Sequence, residues 1–183
     1  MVAWFAAYLE WLRTSKHGRE ESAATNNHGT WYDAQVAAFA LFTDQDQLAR
    51  DVIEASRTKR IARQIEPDGR QPAELARTKP FGYSHFNLQA LFTLATLGQT
   101  VNVDLWRYET ADGRSLRKAL DFLAEYADPE NVWPYKDLKF DRALLIPLLQ
   151  QGAAVYGTAY QQALAKLPAK QVAESRGSLT YAR

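Results

Sequence analysis

Apolar residues recur at a helical period along almost the whole chain, and no stretch alternates as a half-buried strand does. Trp4, Phe5, Tyr8, Leu9 and Leu12 fall on one face of a first helix, and Val36, Phe39, Ala40 and Phe42 on one face of a second. Leu48, Val52, Ile53, Ala55 and Ile61 mark a third, begun at Thr43-Asp44. Phe86, Leu88, Leu91, Phe92, Ala95 and Leu97 mark a fourth that stops at Gly98, since glycine commonly closes a helix. Leu116, Ala119, Leu120, Leu123 and Tyr126 mark a fifth, between Asp112-Gly113 and Asp128-Pro129. A sixth covers residues 138–156, with Pro147 as its kink or boundary, and a short seventh follows Gly157. Helices joined by short turns pack as antiparallel hairpins, so this period predicts an all-α fold. Extended structure is expected only near 105–108. Residues 65–82 contain Pro67, Asp68-Gly69, Pro72 and Pro80 and read as one long loop, a kind that often carries function. The tail, 170–183, is expected to fray.

A length of 183 residues fits a single domain with a sizeable core. The net charge is +1 with both signs interspersed, which argues against a nucleic-acid-binding surface. The chain has no cysteine, so disulfides, zinc-thiolate sites and a cysteine nucleophile are excluded. No apolar run approaches the roughly 18–20 residues that span a membrane. The apolar N-terminus lacks a basic leader and is broken by Glu10, so it reads as an amphipathic helix and not as a signal peptide. The three histidines stand at 17, 28 and 85 without metal-motif spacing, so neither a metal nor a cofactor is expected. Five Trp and nine Tyr are enough to stack sugars, though aromatics fill ordinary cores as well.

Two polar islands interrupt the apolar pattern. The first is Asn26-Asn27-His28-Gly29-Thr30-Trp31-Tyr32, at the start of the second apolar stripe. A helix N-terminus carries free N–H groups and a positive dipole end, which suit an anionic ligand. The plainer reading is that an asparagine caps the helix and His28 is a solvated turn residue. The second island runs from Gln64 through Glu74-Leu75-Ala76-Arg77 to Tyr83-Ser84-His85-Phe86-Asn87. Arg77 supplies a planar fork for a carboxylate. Its plainer reading is an Arg77–Glu74 ion pair with a helix cap at Ser84. Trp31, Gln35, Gln64, His85 and Asn87 are candidate sugar-contacting residues. The basic run Arg57-Thr58-Lys59-Arg60, with Arg63, reads as a solvated helix face more readily than as a polyanion site.

The Asn-Asn-His-x-x-Trp block, the Glu-Leu-x-Arg that follows, and a Tyr opening an apolar helix resemble the alginate lyases of the α/α-toroid type. The resemblance covers roughly residues 3–135 and is strongest over 21–95. It implies that Asn27, His28, Arg77 and Tyr83 form the active site of a polysaccharide lyase acting on a uronate polymer. The family often has His directly before its Tyr; this chain has Gly82 there, and the nearby imidazole is His85, as in a divergent branch of uronan lyases. The chemistry such a set performs is β-elimination. Asn27, His28 and Arg77 neutralise the carboxylate, and Tyr83 takes the α-proton and returns one to the leaving oxygen. One Tyr in both roles suits the syn geometry of mannuronate; for guluronate or glucuronate His28 is the candidate base. Family enzymes are periplasmic or secreted and longer than this chain. The expectation is therefore a single domain, 1–183, that is the C-terminal part of a longer enzyme and forms an incomplete (α/α) toroid, with an exposed apolar edge suited to a homodimer. Two other readings stand beside it: an acidic-polysaccharide binder that has lost catalysis, and a helical scaffold protein.

Overall fold

The structure, a computed structural model, describes residues 1–177. Among these residues the fold is all-α. The sheet-like pairing in this range is a single bridge between Glu109 and Ser115, so the extended piece expected at 105–108 does not form a strand. Helices α1 (Val2–Thr14), α2 (Lys16–Ala23), α3 (Asn27–Phe42) and α4 (Asp46–Ser56) lead into a π-helical turn, Arg57–Ile61, and a short α5 (Ala62–Gln64). Then come α6 (Pro72–Leu75), the long α7 (Pro80–Thr100), α8 (Leu116–Ala124), α9 (Leu145–Tyr156), α10 (Thr158–Leu164) and α11 (Ala169–Glu174). The frayed tail expected from 170 thus begins inside α11, and residues 178–183 lie outside the described residues.

Helices α3 and α7 form the centre. They pack on one another, α3 also against α1, α2 and α4, and α7 also against α8. Leu88, Leu91, Phe92, Leu94 and Ala95 of α7 are buried, against Ala34, Val36, Ala37 and Ala40 of α3 and Ile53 of α4. The alanines let the two helices approach closely, and each buried Leu or Phe contributes about 1.5–3 kcal/mol. A helix buried on several sides loses the one-faced pattern of a surface helix. That is why the apolar stripe marked only the middle of α7. The helix begins at Pro80, whose missing N–H costs nothing at the first position, and it runs past Gly98 to Thr100. Gly98 serves close packing: a Cβ there would lie 2.4 Å from the carbonyl oxygen of Val103.

Other expectations are corrected by long-range packing. The first stripe is only half buried: Leu9 and Leu12 face the core, while Trp4 is 61% exposed. Helix α4 starts at Asp46 rather than at Thr43-Asp44. Pro147 sits in the first turn of α9 and so marks its start. The basic run is a solvated face only in part: Thr58 and Arg63 are exposed, but Arg60 is buried at 2% exposure. Arg60 Nε donates to Asp33 Oδ2 at 2.6 Å, and its two terminal nitrogens donate to the carbonyls of Ala24 and Ser22. Lys59 adds a longer contact to Asp33. The π turn rotates Arg60 inward, and its side chain pins the segment that leads into Asn27.

Candidate active site

The site is built where the N-terminus of α3 meets the N-terminus of α7. Asn26 caps α3: its Oδ1 accepts the backbone N–H of His28 at 3.1 Å. Asn27 and His28 therefore occupy the first turn, and they diverge. Asn27 is 3% exposed, and both its backbone N–H and its Nδ2 donate to Glu74, at 2.6 Å each. His28 faces outward, its Nδ1 3.0 Å from Glu21 Oε2 on α2. With Nδ1 engaged, Nε2 is the nitrogen left for a ligand.

The other half comes from the segment expected to be a loop. Glu74 ends up on α6 and Tyr83 in the first turn of α7. The chain turns after Ala76, and the Arg77 guanidinium lies over the Tyr83 ring, 4.1 Å from its centroid. This stacking replaces the ion pair with Glu74 that spacing alone suggests. The start of α7 is held from a distance, since Asp137 Oδ2 accepts the N–H of Phe81 at 2.9 Å and Leu138 N–H donates to the carbonyl of Thr78. Trp133 packs edge-on against Phe81 at that turn and supports it.

Asn27, His28, Arg77 and Tyr83 line one open pocket of about 430 Å³, in the size range of ligand sites. Trp31, Tyr32, Gln35 and Phe86 form its wall with Leu12, and Glu21 stands at its rim. Trp31 leans on Phe86, with ring centroids 4.9 Å apart. The Tyr32 hydroxyl donates to the carbonyl of Leu12, tying α1 to this wall. A larger groove of about 840 Å³ runs between the 102–109 segment and the end of α9, around Trp106, Tyr108 and Tyr156. It balances Asp104 and Glu109 against Arg107 and Arg117 and includes none of the motif residues, so the smaller pocket is the candidate.

Three candidate sugar contacts lie elsewhere. Gln64 and Asn87 are buried, do not line the pocket, and are bonded within a chain of amides. Gln64 Oε1 accepts from Thr30 Oγ1 and Asn87 Nδ2, Gln71 Oε1 accepts from the same Asn87 Nδ2, and Gln71 Nε2 donates to the carbonyl of Ser84. These bonds pair buried polar groups between α3 and α7, while Asn87 Oδ1 is buried without a hydrogen-bond partner among the described residues. His85 is 8% exposed, does not line the pocket, and its Nε2 has no hydrogen-bond partner. Burial holds its pKa down at about 4, so its imidazole is neutral at ordinary pH. The residues missed in the sequence are Glu21 and Glu74, which stand behind His28 and Asn27. Glu74 is in the Glu-Leu-x-Arg motif, but nothing local shows that it reaches Asn27. No group of three or more His, Cys, Asp or Glu that could hold a metal occurs among the described residues.

A family model described as alginate lyase matches residues 1–133. The solved structure of an alginate lyase from Bacteroides ovatus superposes with a TM-score of 0.88, at 36% sequence identity, over 97% of this chain. The chain spans 47% of that protein's length, about half. No curated protein matches the chain.

Proposed function

Since the chain belongs to the alginate lyase family, we propose that its pocket cleaves a uronate-containing polysaccharide by β-elimination. The observation that carries this reading is the convergence of Asn27, His28, Arg77 and Tyr83, from two segments far apart in sequence, on one pocket. The reaction breaks the C5–H bond and the C4–O bond of a uronate and forms a C4=C5 double bond. No water is consumed. The difficulty is that the carbanion must spread onto a carboxylate that is already negative. The Arg77 guanidinium, the remaining N–H of Asn27 Nδ2 and His28 Nε2 neutralise that carboxylate, and the partial positive charge of the α3 N-terminus adds to them. Tyr83 Oη takes the C5 proton, and a proton returns from it to the leaving O4 oxygen. Arg77 lies over the ring that carries negative charge while the proton is away. Trp31, Gln35 and Phe86 hold the sugar against the pocket wall, and the substrate is an acidic polysaccharide such as polymannuronate or glucuronan.

A second reading, binding without cleavage, draws on how open the site is: the His28 side chain is 52% exposed. New ultraviolet absorbance from the unsaturated product, measured on polymannuronate, polyguluronate and glucuronan, separates the two. Cleavage produces it; binding alone gives retention on the polymer without it. A scaffold gives neither and tolerates Tyr83→Phe and His28→Ala.

A further inference from the structure

Glu74 is an expensive residue for its place. It is 1% exposed, and burying an ionised carboxylate costs several kcal/mol unless its oxygens are well bonded. Here they are: Oε1 accepts the Asn27 backbone N–H and Oε2 accepts Asn27 Nδ2–H, both at 2.6 Å, as short charge-assisted bonds are. Both go to one residue, and that residue lines the pocket. Burial pushes the carboxyl above its ordinary range, while the Asn27 bonds, Arg77 and His28 pull it back. A carboxylate can only accept. It therefore forces the nitrogen of the Asn27 amide toward itself and removes the flip that would exchange Nδ2 and Oδ1.

We propose that Glu74 is a positioning residue that locks the Asn27 carboxamide in the one orientation the elimination uses, an inference that rests on the lyase reading above. Glu74 also sets the distance between the two halves of the site. It sits on α6, which Gln71 docks onto α7 through Ser84 and Asn87. The carboxylate thus ties Asn27 and His28 to the segment that carries Arg77 and Tyr83. Glutamine at position 74 has nearly the same volume but places an N–H donor opposite the Asn27 donors. One of the two amides must turn, and the orientation is no longer imposed.

The test joins a spectroscopic and a kinetic measurement on the full chain. In protein labelled with ¹⁵N-asparagine, the Asn27 side-chain amide is identified by its loss in Asn27→Ala. Its bonded proton is expected downfield in the wild type and back in the ordinary range in Glu74→Gln; an unchanged resonance overturns the proposal. In the lyase assay, Glu74→Gln is expected to lower kcat about 100-fold with KM changed less than about threefold, the size of losing one transition-state donor. In the Asn27→Ala background the same substitution is expected to change kcat less than about threefold, because coupled residues are not additive. An equal fall in both backgrounds overturns the proposal, since Glu74 then acts independently of Asn27. If Glu74→Gln does not fold, Glu74→Asp replaces it in both measurements. It keeps the charge on a shorter arm and is expected to give a smaller shift and about a tenfold loss, and the same two results overturn the proposal. A wild type inactive on every uronan contradicts the lyase reading alone, because the amide resonance decides the hold of Glu74 on Asn27 without turnover.

Discussion

Asn27 donates from its backbone N–H and from its Nδ2 to the two oxygens of one buried carboxylate, Glu74, across 47 residues of sequence. Around this contact the other site groups are placed. Asn26 caps the helix on which Asn27 and His28 sit, and Arg77, three residues beyond Glu74, lies on the Tyr83 ring.

Arg77→Lys tests that last contact. Lysine keeps the charge but not the planar fork that stacks on an aromatic ring and meets a carboxylate with two parallel bonds. The substitution is expected to lower kcat/KM about 10- to 100-fold with little change in thermal stability. Steady-state kinetics on the active uronan beside a thermal melt check it. Wild-type kcat/KM in the lysine variant contradicts the role given to Arg77.

His85 gives a pH-dependent stability. Its folded pKa of about 4 lies below the ordinary value of 6.5, so the folded state favours the neutral ring. The unfolded chain binds a proton in that window and the folded chain does not. The contribution is complete above pH 6.5 and is lost as pH falls toward 4, amounting to about 3 kcal/mol. Glu74 titrates with the opposite sign, because its carboxyl is raised by burial. The difference between wild type and His85→Gln in urea unfolding isolates the histidine. That difference is expected to move steadily between pH 6.5 and 4, with the wild type losing more; a constant difference contradicts the assignment.

Gly29 stands where the chain between α2 and α3 passes Arg60. A Cβ there would lie 2.2 Å from the carbonyl oxygen of Ala24 and 2.3 Å from Arg60 Nη1. Gly29→Ala must displace the buried guanidinium from Asp33 or shift the backbone beside His28. The expected loss is about 3 kcal/mol, between overpacking and the breaking of a buried ion pair. Urea denaturation measures it, and a loss under about 1 kcal/mol contradicts the role given to the Arg60 anchor.

The helical period made the all-α class legible, along with α3, the middle of α7 and α8, because each buries a recognisable apolar face. Helix α2 was not legible: Lys16–Ala23 is almost wholly polar and is held by the Ser15 cap and by Gly18 lying against the Leu12 backbone. The start of α7 was missed because Asp137 and Leu138, far along the chain, supply its outer bonds. Asn27, His28, Arg77 and Tyr83 were named from their residue types and the family pattern, and the structure brings them to one pocket. Gln64, His85 and Asn87 were grouped with them on polarity alone, which cannot tell a pocket-lining side chain from a buried amide bonded to its neighbours or a desolvated ring. Glu74 looked like an i, i+3 partner of Arg77, since local spacing does not reveal a helix end arriving from 47 residues away.

The central claim is elimination through Tyr83. Ultraviolet absorbance released from polymannuronate, polyguluronate and glucuronan by the wild type and by Tyr83→Phe tests it directly. The account predicts release from at least one polymer and a rate lowered 100-fold or more, about the span of a general acid–base group, by the loss of one hydroxyl. Equal rates from the two folded proteins, or no release from any of the three polymers, would contradict it.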